Sequence, residues 1–80
     1  MYKYIIKRIL KEVESAKNKH PYWPEDIVHQ TAIIQEECGE AVRESLNIYY
    51  KENGTYNNLE TEIIQTAATC IRCLEKLRGK

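Results

Sequence analysis

The chain has 80 residues with twelve Lys or Arg and twelve Asp or Glu, so its formal net charge is zero. Residues 1–24 carry six basic residues against two acidic ones, whereas residues 25–53 carry seven acidic residues against two basic ones. A general nucleic-acid-binding protein carries a net basic face, so this distribution argues against that class. The length predicts one domain, residues 1–80, that buries only about 60 % of its unfolded surface.

Neither a membrane span nor a secretory leader is expected from the apolar residues. No apolar run approaches the roughly 20 residues that a membrane-spanning helix needs. Lys3 and Lys7 interrupt the apolar residues at the start of the chain, which a signal peptide would not do. The three cysteines, an odd number without an export signal, predict reduced thiols. The sequence therefore predicts a cytoplasmic protein without a membrane or nucleic-acid partner.

An apolar stripe predicts a first helix over residues 2–18. Its members recur at spacings of three and four and are Tyr2, Ile6, Ile9, Val13 and Ala16. Lysines, with Lys7 and Lys11 among them, occupy the other sides of this helix. The segment His20-Pro21-Tyr22-Trp23-Pro24 ends the helix, because each proline disfavours helical geometry in the residue before it.

A second helix is predicted over residues 25–52, and Pro24, Glu25 and Asp26 suit its first turn. Its main apolar row is Ile27, Thr31, Ile34, Cys38, Ala41, Ser45 and Ile48. A second row is Val28, Ala32, Val42, Leu46 and Tyr49. Together the two rows span about half of the helix circumference, which is wide for a helix that packs on one side only. The wide arc and the small size of the chain predict a homodimer or a homotetramer.

Asn53-Gly54 predicts a turn, and a third helix is predicted over residues 58–78. Asn57 or Asn58 would cap its start, and Gly79 would end it. Its predicted core row is Leu59, Ile63, Ala67, Cys70, Leu74 and Leu77, with Ile64, Ala68 and Ile71 beside it. No segment shows the alternating pattern of a strand. The predicted fold class is therefore all-α, with three antiparallel helices joined by short connections.

Glutamates concentrate along one edge of the apolar face of the second helix. Glu37 and Glu40 are three residues apart on that edge and can converge on one ion, whereas Glu36 points away from the core. On the third helix, Glu62 and Gln65 share one flank. If the two flanks face each other, their oxygens form a site suited to a hard cation such as Mg²⁺. Spacing alone also allows a solvated acidic edge that has basic partners such as Arg43.

Two segments carry a resemblance to a known family. Glu36-Glu37-Cys38-Gly39-Glu40, a spacer of 21 residues and Glu62-Ile63-Ile64-Gln65 resemble the signature Glu-Glu-x-x-Glu, spacer, Glu-x-x-Asp. This signature belongs to the MazG-like all-α nucleoside triphosphate pyrophosphohydrolases. Trp23-Pro24-x-Asp26-x-x-His29 and Ile64-Gln65-Thr66-Ala67-Ala68 are similar to a small, phage-type branch of that family. The resemblance covers residues 20–78, and it departs from the family where Gln65 replaces the aspartate and where many relatives have a fourth helix.

The resemblance implies hydrolysis of a nucleoside triphosphate between its α- and β-phosphates, with Mg²⁺ or Mn²⁺, by a homo-oligomer. It implies metal ligation by Glu37, Glu40, Glu62 and Gln65. It implies catalytic roles for Glu36, Glu37 and Glu40, with Glu36 or Glu44 orienting the attacking water. The expected substrate contacts are phosphate neutralisation by Lys7 and Lys11, base stacking by Tyr22 or Trp23, and a contact from His29.

Other interpretations of the same residues stay open at this point. Because Gln65 is neutral, the chain could be a non-catalytic nucleotide-binding relative. If the acids only keep the chain soluble, it could be a helical interaction module. Cys70 and Cys73 have the spacing of a redox or zinc pair, but the helical pattern favours a core position for Cys70 and an edge position for Cys73.

Overall fold

A computed structural model describes residues 1–79, which form three α-helices and no strand. Helix α1 spans Tyr2–Lys19, α2 spans Ile27–Tyr49 and α3 spans Tyr56–Arg78. The prediction of an all-α chain with three helices is confirmed. Within the same residues, no helix combines the length and the hydropathy that a membrane crossing demands.

The ends of α2 and α3 differ from the predicted ends. Asp26 precedes α2 as its N-cap instead of lying in its first turn, and its carboxylate accepts a hydrogen bond of 3.0 Å from the Val28 amide. Thr55, and not Asn57 or Asn58, caps α3, because its hydroxyl accepts a hydrogen bond of 3.0 Å from the Asn58 amide. Helix α2 ends at Tyr49 and not at residue 52, since the backbone is left-handed at Lys51, with a φ of 58°.

The turn between α2 and α3 closes tightly around Gly54. A Cβ atom at this position would lie 2.5 Å from the Ile48 nitrogen and 2.8 Å from the Asn47 carbonyl carbon. Only glycine fits so close to another backbone segment. The Glu44 carboxylate accepts a hydrogen bond of 2.8 Å from the Thr55 amide, which fastens the start of α3 to α2. The turn therefore sets the register of α3 against α2.

Helix α3 lies in the middle of the molecule. It packs against both α1 and α2, whereas α1 and α2 do not pack directly on each other. An Arg8–Glu60 ion pair joins the starts of α1 and α3, and Lys17 pairs with Glu75 at 3.1 Å farther along both helices. Helices α1 and α3 therefore run in the same direction, and successive helices alternate in direction as their short connections predict.

The core is small, and on α3 it follows Ile64 and Ala68, which the prediction placed beside the main apolar row. The buried apolar side chains are Val13, Ile64, Ala68 and Cys73. In contrast, Ile63 and Leu74 of the predicted core row are 53 % and 58 % exposed. The two cysteines also exchange their expected places, because Cys73 is buried and Cys70 is only half-buried. Other large apolar side chains on exposed faces include Tyr2, Ile6, Val28, Val42, Leu46 and Tyr49.

The molecule is extended for its length. Its radius of gyration is 13.7 Å, whereas a compact domain of this length has about 12 Å. Its accessible surface is 6323 Å², which is about 1,300 Å² more than the roughly 5,000 Å² of a compact monomer of the same mass. Much of the additional surface is apolar, because the outward rows of all three helices contribute to it.

Candidate functional site

The side of α2 that faces α3 carries glutamates among its apolar residues. Its half-buried positions recur at spacings of three and four and include Ile34, Glu37, Ala41, Glu44 and Ile48. Glu37 therefore lies along the border between α2 and α3, while Glu36 and Glu40 are exposed. Glu62 is half-buried on α3.

Glu37 and Glu62 lie close enough to Glu40 for its charge to affect their pKa values. Burial raises the pKa of Glu37 above its usual value, and the negative charges of Glu40 and Glu62 raise it further. Burial also raises the pKa of Glu62, and the negative charges of Glu40 and Glu44 raise it further. Glutamates of α2 and α3 thus form one electrostatic cluster, called the glutamate cluster below and defined as Glu37, Glu40 and Glu62.

Gln65 lies beside this cluster. It lines a cleft of 190 Å³ together with Glu37, and the other walls come from Glu12, Ala16, Lys19, His20, Ala68 and Thr69. Carboxylate and amide oxygens are the ligands that hard divalent cations take, so the donor chemistry fits Mg²⁺. As the side chains are arranged, residues 1–79 contain no group of three His, Cys, Asp or Glu that could hold one ion. Convergence on an ion therefore requires the glutamates to change rotamer, and the exposure of Glu40 leaves room for this.

Glu12 is an acid near the cluster that the sequence motifs do not indicate. Its charge contributes to the raised pKa of Glu37, and its side chain lines the cleft beside Gln65. It comes from α1, which the parallel packing of α1 on α3 places there. The sequence contains one weak signal for this position, since Glu12 directly precedes the core residue Val13.

Two other glutamates near the cluster in sequence have partners elsewhere. The Glu44 carboxylate accepts a hydrogen bond from the Thr55 amide, so one of its oxygens is already bonded to the turn between α2 and α3. Glu60, which lies on the other edge of α3, forms an ion pair with Arg8.

The lysines expected to contact phosphate line a separate cleft. Lys7 and Lys11 border a space of 500 Å³ between α1 and α3, with Arg8 and Thr61 on its walls. Glu12 lines both this cleft and the cleft beside Gln65, so the two spaces are neighbours. His29 is exposed in the first turn of α2, and it does not line the clefts that Glu37 borders.

Trp23 lies in the loop between α1 and α2 and packs against Arg72 of α3. The guanidinium carbon of Arg72 is 4.7 Å from the centre of the indole ring, and Arg72 donates a hydrogen bond of 2.9 Å to the His20 carbonyl. Trp23 and Glu37 line a cleft of 300 Å³ in common. Since Arg72 covers one face of the indole, the more open aromatic ring is that of Tyr22, which is 73 % exposed.

Arg72 is a second residue near the cluster that the sequence motifs do not indicate. Arginine is almost never fully buried unless it is paired. The structure leaves it only 8 % exposed. Two partners that are distant in sequence, Trp23 and the His20 carbonyl, account for its position.

Comparisons with known proteins give no relative of this chain: no protein-family model matches it, and no curated protein or solved structure is significantly similar to it. A proposal for the function therefore depends on the glutamate cluster and the sequence motifs.

Proposed function

We propose that the chain is a Mg²⁺-dependent nucleoside triphosphate pyrophosphohydrolase with a MazG-like fold, which converts an NTP or a dNTP into the monophosphate and pyrophosphate. The observation that carries this proposal is the glutamate cluster, with Gln65 beside it. Burial and the like charges of neighbouring carboxylates oppose the ionisation of Glu37 and Glu62, whose pKa values are both raised. A divalent cation would offset this cost, and it would also stabilise negative charge on phosphate oxygens.

In this proposal, Glu37, Glu40 and Glu62 hold Mg²⁺ or Mn²⁺, and Gln65 adds a neutral oxygen. The ion supplies charge stabilisation for the phosphate oxygens as the anhydride bond breaks. Glu36 precedes Glu37 and is exposed, so it is the proposed group that orients the attacking water. Glu44 is less suited to that role because it holds the Thr55 amide.

The proposed substrate contacts lie on both sides of the cluster. Lys7 and Lys11 line the cleft that Glu12 connects to the cluster, and they would neutralise phosphate oxygens. On the other side, Tyr22 and Trp23 share a cleft with Glu37, and Tyr22 has the more open ring for a base. A contact from His29 would have to come from a different direction, since His29 lies outside both clefts of Glu37.

We also propose that the chain assembles as a homodimer or a homotetramer. The surface in excess of a compact monomer is about 1,300 Å² per chain, which exceeds the roughly 800 Å² that each partner buries in a typical stable interface. Exposed apolar residues on α2, such as Val42 and Leu46, would be buried in such an interface.

A screen for pyrophosphate release tests the enzymatic proposal. The wild type is incubated with each NTP and dNTP, with Mg²⁺ or Mn²⁺ and with a chelator. We expect metal-dependent release from at least one nucleotide, and a loss of about 100-fold or more in Glu37→Gln and Glu62→Gln. Glu14→Gln is the matched control, because Glu14 is an exposed glutamate of α1 outside the clefts described above. Equal activity in all variants would refute the site.

A second candidate function is a nucleotide-binding protein without turnover. Two observations favour it: Gln65 stands where the family signature has an aspartate, and the described carboxylates do not converge on one ion as arranged. Calorimetric binding of a nucleotide in the absence of pyrophosphate release would identify this function.

A further inference from the structure

Arg72 is a buried cation that has no acidic partner among residues 1–79. Its side chain belongs to a residue that is only 8 % exposed. The ion pairs within residues 1–79 join Arg8 to Glu60, Lys17 to Glu75 and Lys76 to Glu25, and none of them includes Arg72. Removing a charge from water costs several kcal/mol unless a partner compensates for it. The indole ring of Trp23 and one carbonyl compensate for only part of this cost.

The guanidinium retains donors that the described residues do not use. Nη2 of Arg72 donates to the His20 carbonyl, and a guanidinium has five N–H donors. The other two nitrogens of Arg72 make no hydrogen bond within residues 1–79, and neither of them is a fully buried atom without a partner. These two nitrogens therefore keep some contact with solvent.

Two clefts meet at Arg72. One has a volume of 300 Å³ and is bordered by His20, Tyr22, Thr69 and Glu37. The other has a volume of 510 Å³ and is bordered by Lys17, Lys76, Pro21 and Glu75. Each lysine of the second cleft pairs with a carboxylate, but the side chains of Glu75 and Glu25 are 54 % and 73 % exposed. Such exposed pairs contribute little to stability, so an incoming anion can compete with them.

We propose that Arg72 binds a phosphate-type anion where the loop between α1 and α2 meets α3. Trp23 and the His20 carbonyl hold the guanidinium plane, which leaves its remaining N–H groups directed at the ligand. A guanidinium binds phosphate oxygens through two parallel hydrogen bonds, and partial burial strengthens the interaction. Lys17 and Lys76 border the site on one side, where an anion would displace Glu75 and Glu25, and the Glu37 carboxyl borders the cleft on the other side. This proposal does not depend on pyrophosphohydrolase activity, and the anion is either free phosphate or a phosphate group of a nucleotide.

The single tryptophan of the chain makes the test direct. Trp23 fluorescence is recorded during titration of the wild type with sodium phosphate and with pyrophosphate, in chelator and at constant ionic strength. We expect a saturable change in emission for at least one of these anions, and no saturable change for sodium chloride. Calorimetric titration with a nucleoside monophosphate separates the two sources: tighter binding than inorganic phosphate identifies a nucleotide, and equal or weaker binding identifies the free anion.

Substitutions decide whether Arg72 is the ligand. Arg72→Gln should weaken pyrophosphate binding about tenfold or more, and Arg72→Lys should be intermediate because it keeps the charge but loses the planar fork. Arg78→Gln removes the same charge from an exposed position of α3, and it should leave binding within about twofold of the wild type. If Arg72→Gln does not fold, Arg72→Lys and the wild-type titration still decide the question. The absence of saturable binding in the wild type would overturn the proposal, and so would equal weakening by the Arg72 and Arg78 variants. Because all these measurements are made without metal or turnover, their failure leaves the pyrophosphate-release test unaffected.

Discussion

Replacing Gly54 by alanine should destabilise the protein, because this glycine lies against the backbone of the last turn of α2. The added Cβ would be 2.5 Å from the Ile48 nitrogen and 2.8 Å from the Cβ of Asn47. Ordinary van der Waals contacts of a Cβ are longer than 3.4 Å. Since the nearest atoms are backbone atoms, the turn must open to accommodate the methyl group.

The expected cost follows from this overlap. Forcing an additional methyl group into a close-packed site costs about 1–3 kcal/mol. For a domain of this size, 1 kcal/mol corresponds to a shift in Tm of about 4–8 °C. Gly54→Ala should therefore lower the Tm by about 10 °C, measured by circular dichroism at one fixed protein concentration.

Gly39→Ala is the matched control, since the same atoms are added in the same helical hairpin. A Cβ at position 39 meets no atom within 4 Å, and the residue lies inside α2. Alanine is more stable than glycine within a helix by about 1 kcal/mol. Gly39→Ala should therefore raise the Tm by about 4–8 °C. A Tm for Gly54→Ala equal to or above the wild-type value would refute the described turn.

Three further predictions concern charge and assembly. Without metal at pH 7, Glu37→Gln should stabilise the protein by about 0.5 kcal/mol in urea unfolding, a modest value because the side chain is only half-buried and solvent screens its charge. This gain should shrink as the pH falls toward 4.5, because Glu37 of the wild type becomes protonated and loses its charge. The pKa of Glu37 in the folded protein lies above the ordinary value of 4.5, so the stability of the wild type decreases as the pH rises from 4.5 through that pKa. A gain that is unchanged at low pH would contradict the assigned cause. Wild type should sediment as a dimer or a tetramer at micromolar concentration, and Leu46→Lys should shift it toward the monomer; a monomeric wild type would remove the oligomer proposal.

The helices were predictable from the sequence, but the choice of buried face was not. Each helix has an apolar row at helical spacing, and such a row identifies a helix regardless of what covers it. Helix α3 has two apolar faces, and the one containing Ile64 and Ala68 is buried within the chain while the one containing Ile63 and Leu74 is exposed. Periodicity does not distinguish a face that packs inside one chain from a face available to another chain.

The candidate site was predictable where residues share a helix and less so where helices meet. Glu37 and Glu40 lie three residues apart, so their proximity follows from helix geometry alone. Glu12 and Arg72 reach their positions through the packing of helices that are distant in sequence. No local pattern marks Arg72, and the only local signal for Glu12 is its position directly before Val13. The N-cap of α3 was also not predictable from the sequence. Thr55 and two asparagines lie within four positions, and all three are good capping residues.

The most direct test of the central claim is the dependence of pyrophosphate release on Mg²⁺ concentration, compared among wild type, Glu62→Gln and Gln65→Asp. If the glutamate cluster and Gln65 hold the ion, Gln65→Asp should require less Mg²⁺ for half-maximal release, because a further carboxylate adds direct attraction. Gln65→Glu controls for side-chain length, and Glu62→Gln should require more Mg²⁺ or lose activity. Identical Mg²⁺ dependence in all four proteins, or no release from any nucleotide, would contradict the account.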